Sequence, residues 1–292
     1  MPGLTIANAG ARRIGAAAIA LAFAALTLAG CTTLGNPPAA ENNDPAYATA
    51  APNLTSLSEV IEKHPNDPQA YNMRGSVLAQ AGRTEEALAD FNKAIGLDAN
   101  YGQAFANRGL IYRKTRRFDQ ALDDYNRALA LDPGYAPAYL GRGVVHKALK
   151  QEAEALEDFN KAISLQPDNA EARYNRGLLY QSEQQHQLAI DDFTVASGLT
   201  PQHAEPLLAR ALSYLALDKA KEAAADLDEA VQADPQNGQI WITRGLAYER
   251  LGDKTKAAGS YGRAINLRPK DEAARSGLAR VGGKAGESYA TF

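Results

Sequence analysis

Residues 136–169 read APAYLGRGVVHKALKQEAEALEDFNKAISLQPDN, and copies of that pattern return every 34 residues in both directions. The openings Ala70–Tyr71–Asn72–Met73–Arg74–Gly75, Ala104–Phe105–Ala106–Asn107–Arg108–Gly109 and Ala172–Arg173–Tyr174–Asn175–Arg176–Gly177 set the register. It holds without insertion or deletion through six copies: 68–101, 102–135, 136–169, 170–203, 204–237 and 238–271. A unit of this size cannot bury its own apolar face, so such a chain must stack its units into a quasi-one-dimensional array. That overrides the two domains a length of 292 residues would otherwise suggest.

Each copy holds two segments with helical apolar spacing, divided by a short polar break. In the second segment alanines recur at 87, 121, 155, 189, 223 and 257, and again seven residues later at 94, 128, 162, 196, 230 and 264. Between them stands a large residue: Phe91, Tyr125, Phe159, Phe193, Leu227 or Tyr261. The first segment places Gly75, Gly109, Gly143, Gly177, Ala211 or Gly245 after a recurrent arginine. Small residues let two helices approach closely, and the large one fills the space beside them. Pro133, Pro167, Pro201, Pro235 and Pro269 are expected to stop the second helix; the first copy has Ala99 instead.

This small–large–small pattern closely resembles the tetratricopeptide repeat (TPR), over about 70% of the chain. The resemblance implies an all-α solenoid: a right-handed superhelix of six hairpins whose first helices line a concave groove. Leu54, Leu57, Val60 and Ile61 form one apolar helical face before Pro65, so residues 53–67 read as an N-terminal capping helix. Residues 272–292 read as a C-terminal capping helix, weakened by Gly277, and a tail.

Residues 1–30 read as a signal peptide, with Arg12 and Arg13 ahead of an alanine-rich apolar run from Ile14 to Leu28 that is too short to span a bilayer comfortably. The run ends Leu28–Ala29–Gly30–Cys31, which resembles the lipobox of bacterial lipoproteins. The resemblance implies cleavage before Cys31 and acylation at that residue. Thr32 in place of aspartate implies the outer membrane, with the protein on its periplasmic face. Residues 31–52 read as the lipidated cysteine and a flexible linker reaching on the order of 25 Å.

Removing Arg12 and Arg13 takes the formal charge from −3 to −5, which argues against a nucleic-acid partner. One cysteine permits no internal disulfide. The four histidines lack metal-ligand spacing, and no nucleophile, phosphate-binding or metalloprotease motif is present. The expectation is therefore a non-catalytic protein with no cofactor and no metal.

Two rows of residues remain. Arg74, Arg108, Arg142, Arg176, Arg210 and Arg244 recur where TPR sequences more usually carry leucine. Asp90, Asp124, Asp158, Asp192 and Asp226 follow sixteen residues later, which suggests an ion pair across each hairpin. The sixth copy has Ser260 there, leaving Arg244 free or otherwise paired. An arginine row that binds an acidic ligand is the functional alternative.

The second row is the groove implied by the resemblance: Asn72, Asn107, Leu110, Arg113, Leu140, Val144, Tyr174, Asn175, Leu178, Leu208, Leu212, Ile242 and Leu246. Asparagines can pair with an extended peptide backbone, and leucines suit an amphipathic helix. The same stripe can instead be filled by neighbouring repeats or the tail. The chain as a whole resembles bacterial TPR lipoproteins of the NlpI type. That implies a scaffold bringing cell-wall hydrolases to a periplasmic processing protease. A pilotin-like lipoprotein, or a permanent subunit of an envelope assembly, is the alternative.

Overall fold

In the computed structural model residues 51–284 are described, with side chains from Leu54 onward. All belong to one of the two units of the chain, Asn43–Phe292. The signal peptide, Cys31, nearly all of the linker and residues 285–292 lie outside the described residues.

The described residues form fourteen α-helices and no strand. A single helix, α1 (Ala51–Lys63), precedes six hairpins. These are α2 (Pro68–Gln80) with α3 (Thr84–Leu97), α4 (Gly102–Lys114) with α5 (Phe118–Leu131), and α6 (Ala136–Ala148) with α7 (Glu152–Leu165). Then come α8 (Ala170–Ser182) with α9 (His186–Leu199), α10 (Ala204–Ala216) with α11 (Ala220–Ala233), and α12 (Gly238–Arg250) with α13 (Lys254–Leu267). A last helix, α14 (Glu272–Arg280), closes the stack. Each second helix packs on the first helix of the next hairpin. First helices also touch each other in succession, α2 with α4, α4 with α6 and onward to α12 with α14, so the stack is tighter on that side and its face is concave.

The core repeats with the sequence. Phe91, Tyr125, Phe159, Phe193, Leu227 and Tyr261 are buried, flanked by alanines with no exposed surface. A Cβ at Gly75 would lie 2.8 Å from the Phe91 ring, and one at Gly177 only 2.7 Å from Phe193. Only the fifth hairpin tolerates Ala211 at this position, where it faces the slimmer Leu227.

The stops are not proline's work alone. The residues that end α5, α7, α9, α11 and α13 are extended, φ −132 to −137°, as a following proline requires. Asp98 takes φ −139° ahead of Ala99, so the hairpin packing imposes the same exit without the ring. Between helices of a pair the chain turns through a left-handed residue at every repeat: Gly82, Arg116, Lys150, Gln184, Asp218 and Gly252.

Candidate functional site

The recurrent arginines lie at hairpin junctions. In the first five hairpins the guanidinium holds the aspartate sixteen residues ahead through two hydrogen bonds of 2.7–2.9 Å: Arg74–Asp90, Arg108–Asp124, Arg142–Asp158, Arg176–Asp192 and Arg210–Asp226. The third nitrogen reaches sixteen residues back into the preceding helix. It donates to Ser58 at 3.2 Å, Asn92 at 2.6 Å, Asn126 at 2.7 Å, Asn160 at 2.7 Å and Thr194 at 3.1 Å. Each arginine thus ties its own hairpin to the helix before it, which is α1 for Arg74 and the preceding hairpin for the others.

In the sixth hairpin the polarity reverses: Arg244 pairs backward with Asp228 at 2.6 Å and donates forward to Ser260 at 2.9 Å. Sequence reasoning missed the backward partner, although Asn92, Asn126 and Asn160 each stand two residues after an aspartate. The aspartates are buried and the arginines largely so. Burial pushes the Asp124 carboxyl up, against the pull of Arg108, while the hydrogen bonds to Asp124 push Arg108 up. Guanidinium groups engaged on both sides are not offered to a ligand.

On the concave face the structure corrects the role expected of the asparagines. Asn72 is buried; its amide donates to the Tyr101 hydroxyl at 3.1 Å and its oxygen accepts from Asn107 at 2.9 Å. Asn175 is also buried, donating to the Glu171 carbonyl at 2.9 Å and accepting from Lys147 at 2.6 Å. These amides staple neighbouring turns together and do not stand open to a peptide backbone. Ile242 is likewise in the core and forms no part of an exposed floor.

Leu208 and Leu246 are half-buried against the C-terminal core cluster, Tyr174 and Leu178 against that around Phe193, and Leu140 and Val144 against that around Phe159. Neighbouring repeats thus cover part of the apolar row. Leu212 stands 40% exposed on it.

The exception is a recess between the second, third and fourth hairpins, a cavity of about 160 Å³ lined by Asn107, Leu110, Arg113, Tyr135, Leu140 and Glu171 among others. It exists because Tyr125 and Gly141 are matched. A Cβ at Gly141 would lie 2.4 Å from the Tyr125 ring and 2.5 Å from its hydroxyl, so glycine alone lets that hydroxyl through to the groove. The pairing recurs at Tyr261 and Gly277, where a Cβ would again lie 2.4 Å from the ring. Gly277 is therefore what seats α14 on the stack rather than a weak point in it. Where the large residue is Phe91 or Phe159, the position sixteen residues on carries Asn107 or Asn175.

The Tyr125 hydroxyl is buried, which pushes its pKa up to about 12, against the pull of the neighbouring Arg113. Lys147 is pushed down, first by burial and then by Arg113, with Glu171 opposing. At the far end the equivalent hydroxyl of Tyr261 donates to Glu249 at 2.6 Å, and Arg280 closes on the same carboxylate at 2.7 and 2.9 Å. That end of the groove is self-satisfied. Among the described residues no cluster of histidine, cysteine or carboxylate side chains could hold a metal ion, and no helix is long and apolar enough to cross a membrane.

A stack of helical hairpins with a side-chain-lined concave face defines a protein-interaction scaffold. Tetratricopeptide-repeat models match residues 54–102, 102–135, 148–184, 170–203 and 208–280, and the chain belongs to the tetratricopeptide-repeat family. No curated protein matches it.

Among solved structures it resembles pilF of Pseudomonas aeruginosa, with TM-score 0.67 and 21% identity over 77% of this chain and 99% of that one. It also resembles PilW, a widely conserved type IV pilus biogenesis factor, with TM-score 0.64 and 18% identity over 72% and 98%. A chain of the Cut9–Hcn1 hetero-tetramer of the APC/C gives TM-score 0.66 and 18% identity over 81% of this chain, which spans only 48% of that one. At these identities the likeness is one of fold.

Proposed function

We propose that this protein is a lipid-anchored scaffold on the periplasmic face of the outer membrane, held through Cys31, whose concave groove receives a segment of a protein partner. The observation that carries the groove reading is that two places on the concave face stay open, the recess at Arg113 and the exposed Leu212. The lipobox-like sequence before Cys31 supports the anchor. In the reading suggested by the NlpI-type resemblance, the partners are cell-wall hydrolases and the protease that processes them.

A second reading, a pilotin-like or other assembly subunit of the outer membrane, has its own support. The outer helix of the fourth hairpin exposes Leu188, Val195 and Leu199 along one stripe. Other hairpins carry Glu86, Gln120, Glu154, Glu222 and Lys256 at the first of these positions, and Lys93, Arg127, Lys161, Glu229 and Arg263 at the second. Apolar residues on an outer face suit a standing interface, and PilW, of the same fold over nearly its whole length, is a pilus biogenesis factor.

In-cell crosslinking followed by affinity capture separates the readings. Leu178→Glu with Leu212→Glu should release a hydrolase or protease if the groove is the working surface. Leu188→Glu with Val195→Lys should release an outer-membrane assembly component if the outer stripe is. Retention of every partner by both variants would remove both surfaces from consideration. Fractionation of Cys31→Ser tests the anchor: a chain still in the outer membrane would overturn it.

A further inference from the structure

We infer that the outer face of α9 receives an amphipathic helix of about three turns from a partner protein, its apolar stripe edged by lysine and arginine. The inference rests on the second reading, in which the outer stripe is the interface, and names the chemistry of what covers it.

Leu188, Val195 and Leu199 stand 47%, 37% and 41% exposed. Spacings of seven and then four residues keep them on one side of the helix, over a length of about 17 Å. Leu97, Leu131, Leu165 and Leu267 match Leu199 in other hairpins and are half-buried, so this exposure belongs to the fourth. Gly198 leaves a notch beside the stripe, since no atom lies within 4 Å of where its Cβ would stand. The backbone groups of a helix are already paired, so an extended segment laid along α9 would find no ladder to join. A helical occupant brings its own backbone bonds satisfied.

The stripe sits in an acidic frame. Glu154 and Glu157 on α7, Asp191 on α9, and Glu222 and Glu229 on α11 are all exposed. None of the five forms an ion pair among the described residues. Asp191 accepts only from the Gln187 amide, at 3.1 Å. Lys161 and Lys221 are the only exposed bases on these three helices. Arg173, Arg176 and Arg210, on the first helices alongside, are engaged by the buried Asp192 and Asp226.

That frame selects among occupants. It repels an anionic bilayer surface, and a second copy docked α9 to α9 would set acid against acid. A helix with lysine and arginine along both edges of its stripe covers the leucines and valine with its apolar side. Its long basic side chains then reach out to the flanking carboxylates.

The test is in-cell photocrosslinking from p-benzoylphenylalanine placed at position 195 of the full chain, with the crosslinked peptide sequenced by mass spectrometry. The expected adduct is a partner segment with apolar residues at three- and four-residue intervals and lysine or arginine on both sides of them. Adding Glu154→Lys, Glu222→Lys and Glu229→Lys should lower its yield about tenfold, with thermal melts to verify that this variant folds. A partner segment without the basic edges, or a yield unchanged by the three lysines, overturns this inference and leaves the outer face an interface. An adduct with lipid or with a second copy of this chain overturns it by naming another occupant. No adduct from position 195 overturns both the inference and the outer-stripe reading.

Discussion

Arg142 grips Asp158 with two nitrogens, at 2.9 and 2.7 Å, and with its third reaches back to Asn126 at 2.7 Å. Asp158 has almost no exposed surface, so the pair is a buried bridge with a polar tether to the preceding hairpin. Removing one member of such a pair leaves an uncompensated charge. Asp158→Ala should cost about 3 kcal/mol in urea unfolding. Arg142→Leu with Asp158→Leu should cost less than the sum of the single changes, and a double-mutant cycle measures the difference. An additive result would show that the pair is not coupled.

The sixth junction reverses the arrangement, with the acid behind Arg244 at Asp228 and a hydroxyl ahead at Ser260. Asp228→Asn should therefore cost about 2 kcal/mol, against about 0.5 kcal/mol for Asn160→Ala, whose arginine keeps its aspartate. Adding Ser260→Asp to Asp228→Asn moves the acid to where the other hairpins carry it and should restore most of the loss. Chemical denaturation of the three variants checks this, and failure of the second change to rescue would show that the junctions are not equivalent.

These junctions show what was legible in the sequence. The 34-residue period fixes helix pairing, because packing repeats with it, and the sixteen-residue offset from arginine to aspartate is visible in five copies. The backward tether was harder to see, since Ser58, Asn92, Thr194 and Asp228 share polarity but not residue type. The asparagines misled for another reason. Their position on the first helix is what the groove requires, but whether an amide is open depends on a partner 29 or 35 residues away, such as Tyr101 or Asn107 for Asn72. No local pattern encodes that contact.

The match between Tyr125 and Gly141 makes a sharper demand. Gly141→Asn alone should destabilise by about 3 kcal/mol, because its side chain must displace a buried ring. Combined with Tyr125→Phe it recreates the phenylalanine–asparagine pairing of Phe91 with Asn107, and most of the stability should return. Thermal melts of the two single variants and the double variant decide it; a double variant no better than Gly141→Asn would show that the pairing is coincidental.

Tyr125 also predicts alkaline behaviour. Its folded pKa of about 12 lies above the usual 10, so on raising the pH the unfolded chain gives up the proton first. The contribution is complete below pH 10 and is lost between pH 10 and 12, about 2–3 kcal/mol in all. Stability measured by denaturant titration should fall less steeply over that window in Tyr125→Phe than in wild type. Equal slopes would mean that the hydroxyl ionises freely in the folded chain.

The turns between paired helices need a left-handed residue, which the first and sixth hairpins supply with Gly82 and Gly252 and the others with Arg116, Lys150, Gln184 and Asp218, at φ 56 to 62°. A Cβ in that region costs about 1–2 kcal/mol, while glycine in the unfolded chain returns about 0.5–1 kcal/mol of that as entropy. The net gain expected for Lys150→Gly or Gln184→Gly is about 0.5–1 kcal/mol. Asp218→Gly should gain least, because aspartate tolerates this conformation better than long side chains do. The sites are 34 residues apart and lie in separate turns, so the gains from Arg116→Gly, Lys150→Gly and Gln184→Gly should add, to about 2 kcal/mol by chemical denaturation. Gly82→Ala should move the other way by about 1 kcal/mol. If the three glycines together lowered stability instead, the long side chains would be making turn contacts that outweigh the backbone strain.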